Sequence, residues 1–156
     1  MKTFTTPDLP FAPINGKKVS ARFDDPAVSS DGGALLLREV DSQIGLSERL
    51  AKSITDERRQ SHVDHRIVDL LRQRAYQISC GYEDANDCDA LRDDPAIMAA
   101  VGRDPVEGGA LGSQPTMTRL ENAVTVRDLL KLGYAFVDQF IASYDRAPRM
   151  IVLDMD

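Results

Sequence analysis

The sequence has no run of apolar residues that approaches the length of about 18 needed to cross a bilayer as a helix, which excludes a helical membrane protein. Its first 18 residues hold three prolines and no apolar segment, so they do not form a secretory signal. Cysteine is scarce too, and Cys80 and Cys88 form neither a Cys-x-x-Cys pair nor a disulfide framework. These absences together predict a cytoplasmic protein.

Positive charge is also in short supply. The chain carries 19 basic and 25 acidic side chains, a net charge of −6, which argues against a protein that coats nucleic acid. Residues 61–118 hold the acidic excess, whereas residues 1–60 are neutral. A DNA-binding surface would therefore use basic side chains of the first 60 residues, and an ordinary solvated surface is the alternative. These candidates are Lys17, Lys18, Arg22, Arg49, Lys52, Arg58 and Arg59.

The chain is long enough, at 156 residues with 42% hydrophobic residues, for one domain or for one domain and the beginning of another. Apolar residues recur mainly at helical spacing, and glycines and capping residues mark the ends of the segments. The predicted helices cover residues 35–44, 47–54, 61–80, 84–92, 95–102 and 125–144, with a capping-box pattern also at Thr118 and Glu121. Residues 102–116 are predicted to form a loop. The apolar stripe of the last helix, from Val126 to Tyr144, is predicted to face the core.

The two ends of the chain differ from this helical middle. Residues 1–18 are predicted to be an arm that prolines interrupt, followed by a short strand at residues 19–23. Residues 149–156 are rich in β-forming residues and predict a strand buried on both faces. Because such a strand needs partner strands, we expect the sequence to be cut off where a second domain begins.

The sharpest chemical signal lies at the end of that predicted strand. Asp154 and Asp156 are two residues apart, so on a regular strand their carboxylates share a face and could hold Mg²⁺. Such a metal serves phosphoryl-transfer enzymes. The alternative interpretation is a turn at the end of the strand, since aspartate favours turns.

Other motifs favour structural roles. His62 and His65 have no clearly placed third ligand for zinc, so we interpret them as imidazoles at a capped helix start. The acid-rich segment 84–95 does not match a calcium loop and predicts a short amphipathic helix. Cys80 and Cys88 lack an evident base in the sequence, which favours packing over nucleophilic catalysis.

Several phrases resemble one family. They are SDGGALLLR at residues 30–38, the Gln73-Arg74 region, GYEDAND at 81–87, LRDDP at 91–95, GSQPTMTRLEN at 112–122 and IVLDMD at 151–156. In this order they resemble the N-terminal portion of bacterial insertion-sequence transposases of the DDE domain group 1. The resemblance covers roughly residues 18–156.

This resemblance implies a mainly α fold, in which a helical N-terminal region leads into the first strand of a truncated ribonuclease-H-like α/β domain. Its implied parts are an N-terminal arm with a short strand (1–29), a helical DNA-binding and scaffold region (30–117), and a long helix with the first catalytic strand (118–156). The partner would be transposon-end DNA, and a homo-oligomer is compatible with the family.

The resemblance also implies a site in which three carboxylates hold Mg²⁺ for DNA strand cleavage and transfer. Its first Asp would be Asp156, with Asp154 as the other candidate. The second Asp and the Glu of the triad would lie beyond this sequence, so we expect the fragment to be catalytically inactive.

Two other functions are consistent with parts of the sequence. Four apolar residues before Asp-x-Asp are also similar to the nucleophile motif of haloacid-dehalogenase-type phosphatases, with Asp154 as nucleophile and Asp156 as acid/base. A small acidic helical module that binds a protein partner through its C-terminal strand is the non-enzymatic alternative.

Overall fold

A computed structural model describes residues 9–21 and 29–153. The described parts are mostly helical, with one small antiparallel sheet. The strands are β1 (Leu9–Ile14) and β2 (Lys17–Ala21). The helices are α1 (Ala34–Ile44), α2 (Leu46–Ser53), α3 (Ile67–Ser79), α4 (Asp87–Leu91), α5 (Pro95–Val101), α6 (Gln114–Ala123) and α7 (Val126–Ala142), with a 3₁₀ turn at Gln60–His62.

The prediction of an N-terminal arm is wrong for the residues that the structure describes, because they form a hairpin. Phe11 pairs with Val19 and Ile14 pairs with Lys17, and Asn15 and Gly16 make the turn with φ values of 48° and 77°. Asn-Gly adopts these left-handed angles readily and gives the turn that suits strand twist. Prolines are tolerated because both strands of a two-stranded sheet are edges.

The core lies where α1, α3 and α5 pack together, with Ile14 of the hairpin inserted among them. Helix α5 is buried along most of its length, from Ile97 to Val101. Its start is as predicted: the Asp94 carboxylate accepts hydrogen bonds from the amides of residues 96 and 97, and Pro95 occupies the first turn. A second cluster joins Leu70, Cys88 and Met117.

Helix α3 begins at Ile67, six residues later than the predicted start at Ser61. Tertiary contacts explain the difference, because arginines from elsewhere bind the carbonyl groups that a helix would use. Arg58 donates to the carbonyl of His65 at 3.1 Å, and Arg103 donates to that of Asp64 at 3.3 Å. Helix α4 is likewise shorter than predicted, since the Asp84 carboxylate accepts from the amide of Asn86 in a turn.

Two further predictions fail in the second half of the chain. Helix α6 begins at Gln114, so Thr118 and Glu121 lie in its interior and not in a capping box. Residues 149–153 form no strand, and the side chains of residues 150–153 are exposed. No strand pairs with them among the described residues, which leaves nothing to bury their apolar side chains.

Helix α7 forms as predicted, but its apolar stripe is not part of the core. A capping box begins the helix: the Thr125 side chain accepts from the backbone N–H of Asp128, and the Asp128 side chain accepts from the backbone N–H of Thr125. The stripe from Val126 to Tyr144 is exposed, whereas Asp128 and Ala135 on the other side are buried. The prediction of a core stripe is therefore wrong, because α7 packs on α2 through its more polar side.

Candidate nucleic-acid interface

The basic candidates lie on two parts of the described fold. Lys17 and Lys18 lie on β2, whereas Arg49 and Lys52 lie one turn apart on α2. Arg58 and Arg59 follow on the segment that leads to the 3₁₀ turn. Arg22 lies outside the described residues.

Lys17 is not a free cation. Its ammonium lies 2.7 Å from a carboxylate oxygen of Asp104 and 3.0 Å from one of Glu107. The hydrogen bond from Lys17, joined by backbone amides of residues 106 and 107, lowers the pKa of Asp104 to about 2. These contacts attach the hairpin to the loop after α5, so Lys17 serves the fold and offers DNA little net charge.

Arg58 is engaged in the same way. Its guanidinium donates two hydrogen bonds, of 2.7 and 2.8 Å, to the carboxylate of Asp56. This bidentate pair holds the pKa of Asp56 well below its usual range and raises the pKa of Arg58. Arg49 has a neutral partner, the side-chain oxygen of Gln139 on α7, at 3.2 Å.

Lys52 and Arg59 are the candidates best placed to meet phosphate. Both are exposed, and neither forms a salt bridge with another described residue. Lys52 lies in the last turn of α2 and Arg59 lies six residues after that helix. With Lys18 on the hairpin, which is also exposed, they are the cations we retain for an interface.

A cleft of about 650 Å³ lies beside this segment, between residues 54–67, α6 and the start of α7. Its floor is apolar, with Leu70 and Leu120 among the lining residues. Two arginines, Arg58 and Arg119, line the cleft together with four carboxylates. This excess of negative charge does not favour binding of an anion. The four carboxylates are Asp56, Glu57, Asp64 and Asp128.

The histidines do not form a metal centre. His62 is exposed in the 3₁₀ turn, and Nδ1 of His65 lies 3.2 Å from a guanidinium nitrogen of Arg103. Burial, followed by the charge of Arg103, lowers the pKa of His65. Among residues 9–21 and 29–153, no group of three or more His, Cys, Asp or Glu is placed to hold a metal ion.

The cysteines support the packing interpretation. Both are free thiols, and Cys88 is fully buried in the second apolar cluster. Its thiol donates to the side-chain oxygen of Gln77 at 3.1 Å. Burial raises the pKa of Cys88, so the thiolate required of a nucleophile is disfavoured.

The phrases that carry the family resemblance meet in space. The Tyr82 hydroxyl donates to the buried carboxylate of Asp31 at 3.2 Å, and the backbone N–H of Gln114 donates to the carboxylate of Asp89 at 2.9 Å. These contacts join residues 30–38, 81–95 and 112–122, so these segments support the fold.

Gln73 makes the most buried of these junctions. Its side-chain nitrogen donates to the carbonyl of Gly112 at 2.8 Å, and its oxygen accepts from the amide of the same residue at 2.9 Å. A Cβ at Gly112 would approach Leu70 Cδ2 to 2.7 Å, so a side chain here would have to displace the buried Leu70. Sequence periodicity misses such a residue, because a glutamine on a buried helix face looks like a surface residue.

Comparison with known proteins gives the family. Residues 11–156 match the family described as transposase DDE domain group 1, and the chain belongs to that family. Comparisons with curated proteins and with solved structures give no match. The match favours transposition over the phosphatase and over the protein-binding module.

Membership of this family bears on the expected metal ion and on the expected fold. Transposases of the DDE type use a divalent metal ion, but the described residues offer no site for one. Asp154 and Asp156 lie outside the described residues. The described parts are helices and a hairpin, and they do not confirm a ribonuclease-H-like fold. No helix in the described ranges is long and apolar enough to span a bilayer.

Proposed function

We propose that this chain acts in DNA transposition by binding transposon-end DNA, without cleaving it unaided. The family match over residues 11–156 carries the proposal. The exposed cations Lys18, Lys52 and Arg59 support it, because they are free of salt bridges to described residues and can meet phosphates. The acidic excess of the chain lies in residues 61–118, so we place the interface on the first 60 residues.

We assign a separate role to each segment of the chain. Residues 30–117 form the scaffold and DNA-binding region, and the hairpin is attached to it through Lys17. Residues 118–156 begin the catalytic domain. Asp156 is the proposed first carboxylate of the catalytic triad, and Asp154 is the second candidate for that role.

We further propose that the 156-residue polypeptide does not cleave DNA by itself. A site of three carboxylates needs groups from several strands, whereas Asp154 and Asp156 belong to a single short segment. The described residues add no further cluster of metal ligands. Incubating the pure chain with a labelled end duplex and Mg²⁺ should give no nicked product, and robust Mg²⁺-dependent nicking would overturn this part of the proposal.

DNA binding is tested by fluorescence anisotropy with a labelled duplex from the ends of the encoding element, over a range of salt concentrations. The double substitution of Lys52 and Arg59 to alanine should weaken binding and reduce the salt slope by about 2, because two phosphate contacts are lost.

Lys17→Ala is the control for overall charge, since it removes one positive charge where the double variant removes two. Its ammonium is already bound to Asp104 and Glu107, so we expect the salt slope to stay unchanged. A loss in the control half as large as that in the Lys52/Arg59 variant would show that overall charge, and not the proposed surface, governs binding. Binding with no salt dependence would contradict phosphate contacts altogether.

A further inference from the structure

Helix α7 carries two exposed basic side chains close to its N-terminal end. Arg127 and Lys131 are four residues apart, so they lie one turn apart on the same side of the helix. Asp138 lies two turns further along this side and is exposed as well. The positive charge of this side is therefore confined to the first half of α7.

The fold does not account for the positive charge of Arg127. This residue lies in the first turn of α7, where a cation is unfavourable to the helix because it opposes the helix dipole. Its side chain forms neither a hydrogen bond nor a salt bridge with another described residue. Within the part of the chain that the structure describes, the Arg127 guanidinium is therefore available to a ligand.

Lys131 is held less tightly by its carboxylate than Lys17 is. Its ammonium lies 3.4 Å from Asp128, whereas that of Lys17 lies 2.7 Å from its partner, and charge-assisted hydrogen bonds are about 2.7–2.9 Å long. The buried Asp128 carboxylate already accepts from the hydroxyls of Thr125 and Thr55. Because the Lys131 side chain is 45% exposed, its ammonium can meet a phosphate at the surface.

The first half of α7 lies beside the segment that carries the retained cations of α2 and the residues after it. The Ser53 hydroxyl donates to the carbonyl of Lys131 at 3.5 Å, and the Lys131 ammonium lies 3.5 Å from the Thr55 hydroxyl. Lys52 directly precedes these two contact residues, and Arg59 follows four residues after them. The two basic side chains of α7 and the two of this segment therefore belong to neighbouring elements that are in contact.

We propose that Arg127 and Lys131 bind phosphates of the same duplex that Lys52 and Arg59 meet, so that the proposed DNA interface, on which this proposal rests, continues from α2 onto α7. Arg127 and Lys131 are about 6 Å apart along the helix axis, and the other two cations lie on a second element. A small anion meets one or two such cations, whereas the backbone of duplex DNA is an extended polyanion that meets all four. Residues 118–156 then hold DNA as well as begin the catalytic domain.

The test is fluorescence anisotropy of the full 156-residue chain with the labelled end duplex, over a range of salt concentrations. The double variant Arg127→Ala/Lys131→Ala should reduce the salt slope by about 2, because two phosphate contacts are lost. We expect the variant to fold, because both positions are exposed and alanine is a good helix former. Circular dichroism during urea unfolding checks that it does.

Arg146→Ala/Arg149→Ala is the matched control. It also removes two exposed arginines that form no salt bridge with another described residue. Both follow the C-terminal end of α7, which lies about 22 Å along the helix axis from Arg127. Charges so far apart are screened at 0.15 M salt, where the Debye length is about 8 Å, so we expect the salt slope to stay unchanged. Equal reductions in the two double variants would overturn the proposal.

The Lys52/Arg59 variant distinguishes failure on α7 from failure of the proposed function. If that variant lowers the salt slope and the Arg127/Lys131 variant does not, the chain binds DNA but its interface does not extend onto α7. If the unaltered chain does not bind the duplex, the proposed function fails and the extension onto α7 fails with it. If both proposals hold, the variant with all four substitutions should reduce the salt slope by about 4.

Photo-cross-linking measures proximity to DNA independently of affinity. In a Cys80→Ser background, Arg127→Cys and Arg146→Cys chains are each labelled with an azidophenacyl group and irradiated with saturating radiolabelled duplex. Cys88 is fully buried and should stay unlabelled. We expect a covalent DNA adduct from position 127 and at least several-fold less from position 146. Equal yields from both positions, or no adduct from position 127, would overturn the proposal.

Discussion

Two buried glutamines on α3 should differ in how much the same substitution destabilises the fold. Gln73 is 1% exposed and makes both of its hydrogen bonds to the backbone of Gly112. Gln73→Leu keeps the volume but leaves the amide and the carbonyl of Gly112 buried without partners. Each such group costs about 1–3 kcal/mol, so we expect a loss of about 3 kcal/mol in the free energy of unfolding.

Gln77, one helical turn further on, is the internal control. It is 0% exposed, yet its side-chain nitrogen has no hydrogen-bond partner among the described residues. Its oxygen accepts only the weak thiol donor of Cys88. Gln77→Leu removes a buried unpaired donor and one weak hydrogen bond, so we expect a change within about 1 kcal/mol of zero.

Urea unfolding followed by circular dichroism measures both variants, and thermal unfolding provides a second reading. A loss of about 3 kcal/mol corresponds to a fall in Tm of roughly 6–12 °C for a chain of this size. Equal destabilisation of both variants would refute the reasoning, because it would show that buried volume or helix context, and not the pairing of Gly112, sets the cost.

Two smaller predictions concern local contacts. Thr125→Ala removes the side-chain half of the α7 capping box and should cost about 1 kcal/mol in urea unfolding, whereas an unchanged midpoint would contradict the cap. The second concerns pH. The pKa of Asp104 is about 2 when folded against an ordinary 3.8, so its contribution to stability is present above pH 4 and is lost as the pH falls toward 2. Lys17→Met removes the hydrogen bond chiefly responsible for this low pKa, so the loss of stability over that interval should be smaller, and an identical acid profile would contradict this assignment.

Locally determined features of the fold could be predicted from the sequence. The C-terminal end of α1 follows from Gly45, and both ends of α5 follow from Asp94, Pro95 and Gly102. The cap of α7 follows from Thr125 and Asp128. The same kind of local signal, Asn15-Gly16, is typical of a hairpin turn, and the interpretation of residues 1–18 as an interrupted arm missed it.

Features that depend on distant residues could not be predicted in this way. The delayed start of α3 results from contacts of Arg58 and Arg103 that no local pattern reveals. The apolar stripe of α7 has the periodicity of a core helix, and periodicity does not say whether the partner lies in the same chain. Lys17 and Arg58 looked like available cations because their acidic partners could not be recognised from spacing alone.

The most direct test of the proposed function is the affinity of the chain for two duplexes of equal length at one fixed salt concentration. One duplex comes from the ends of the encoding element, and the other has the same base composition in scrambled order. A transposase portion that binds transposon ends should prefer the first by about 10³-fold or more. Equal affinity for both duplexes, or no binding to either, would contradict the proposal that this chain binds transposon ends.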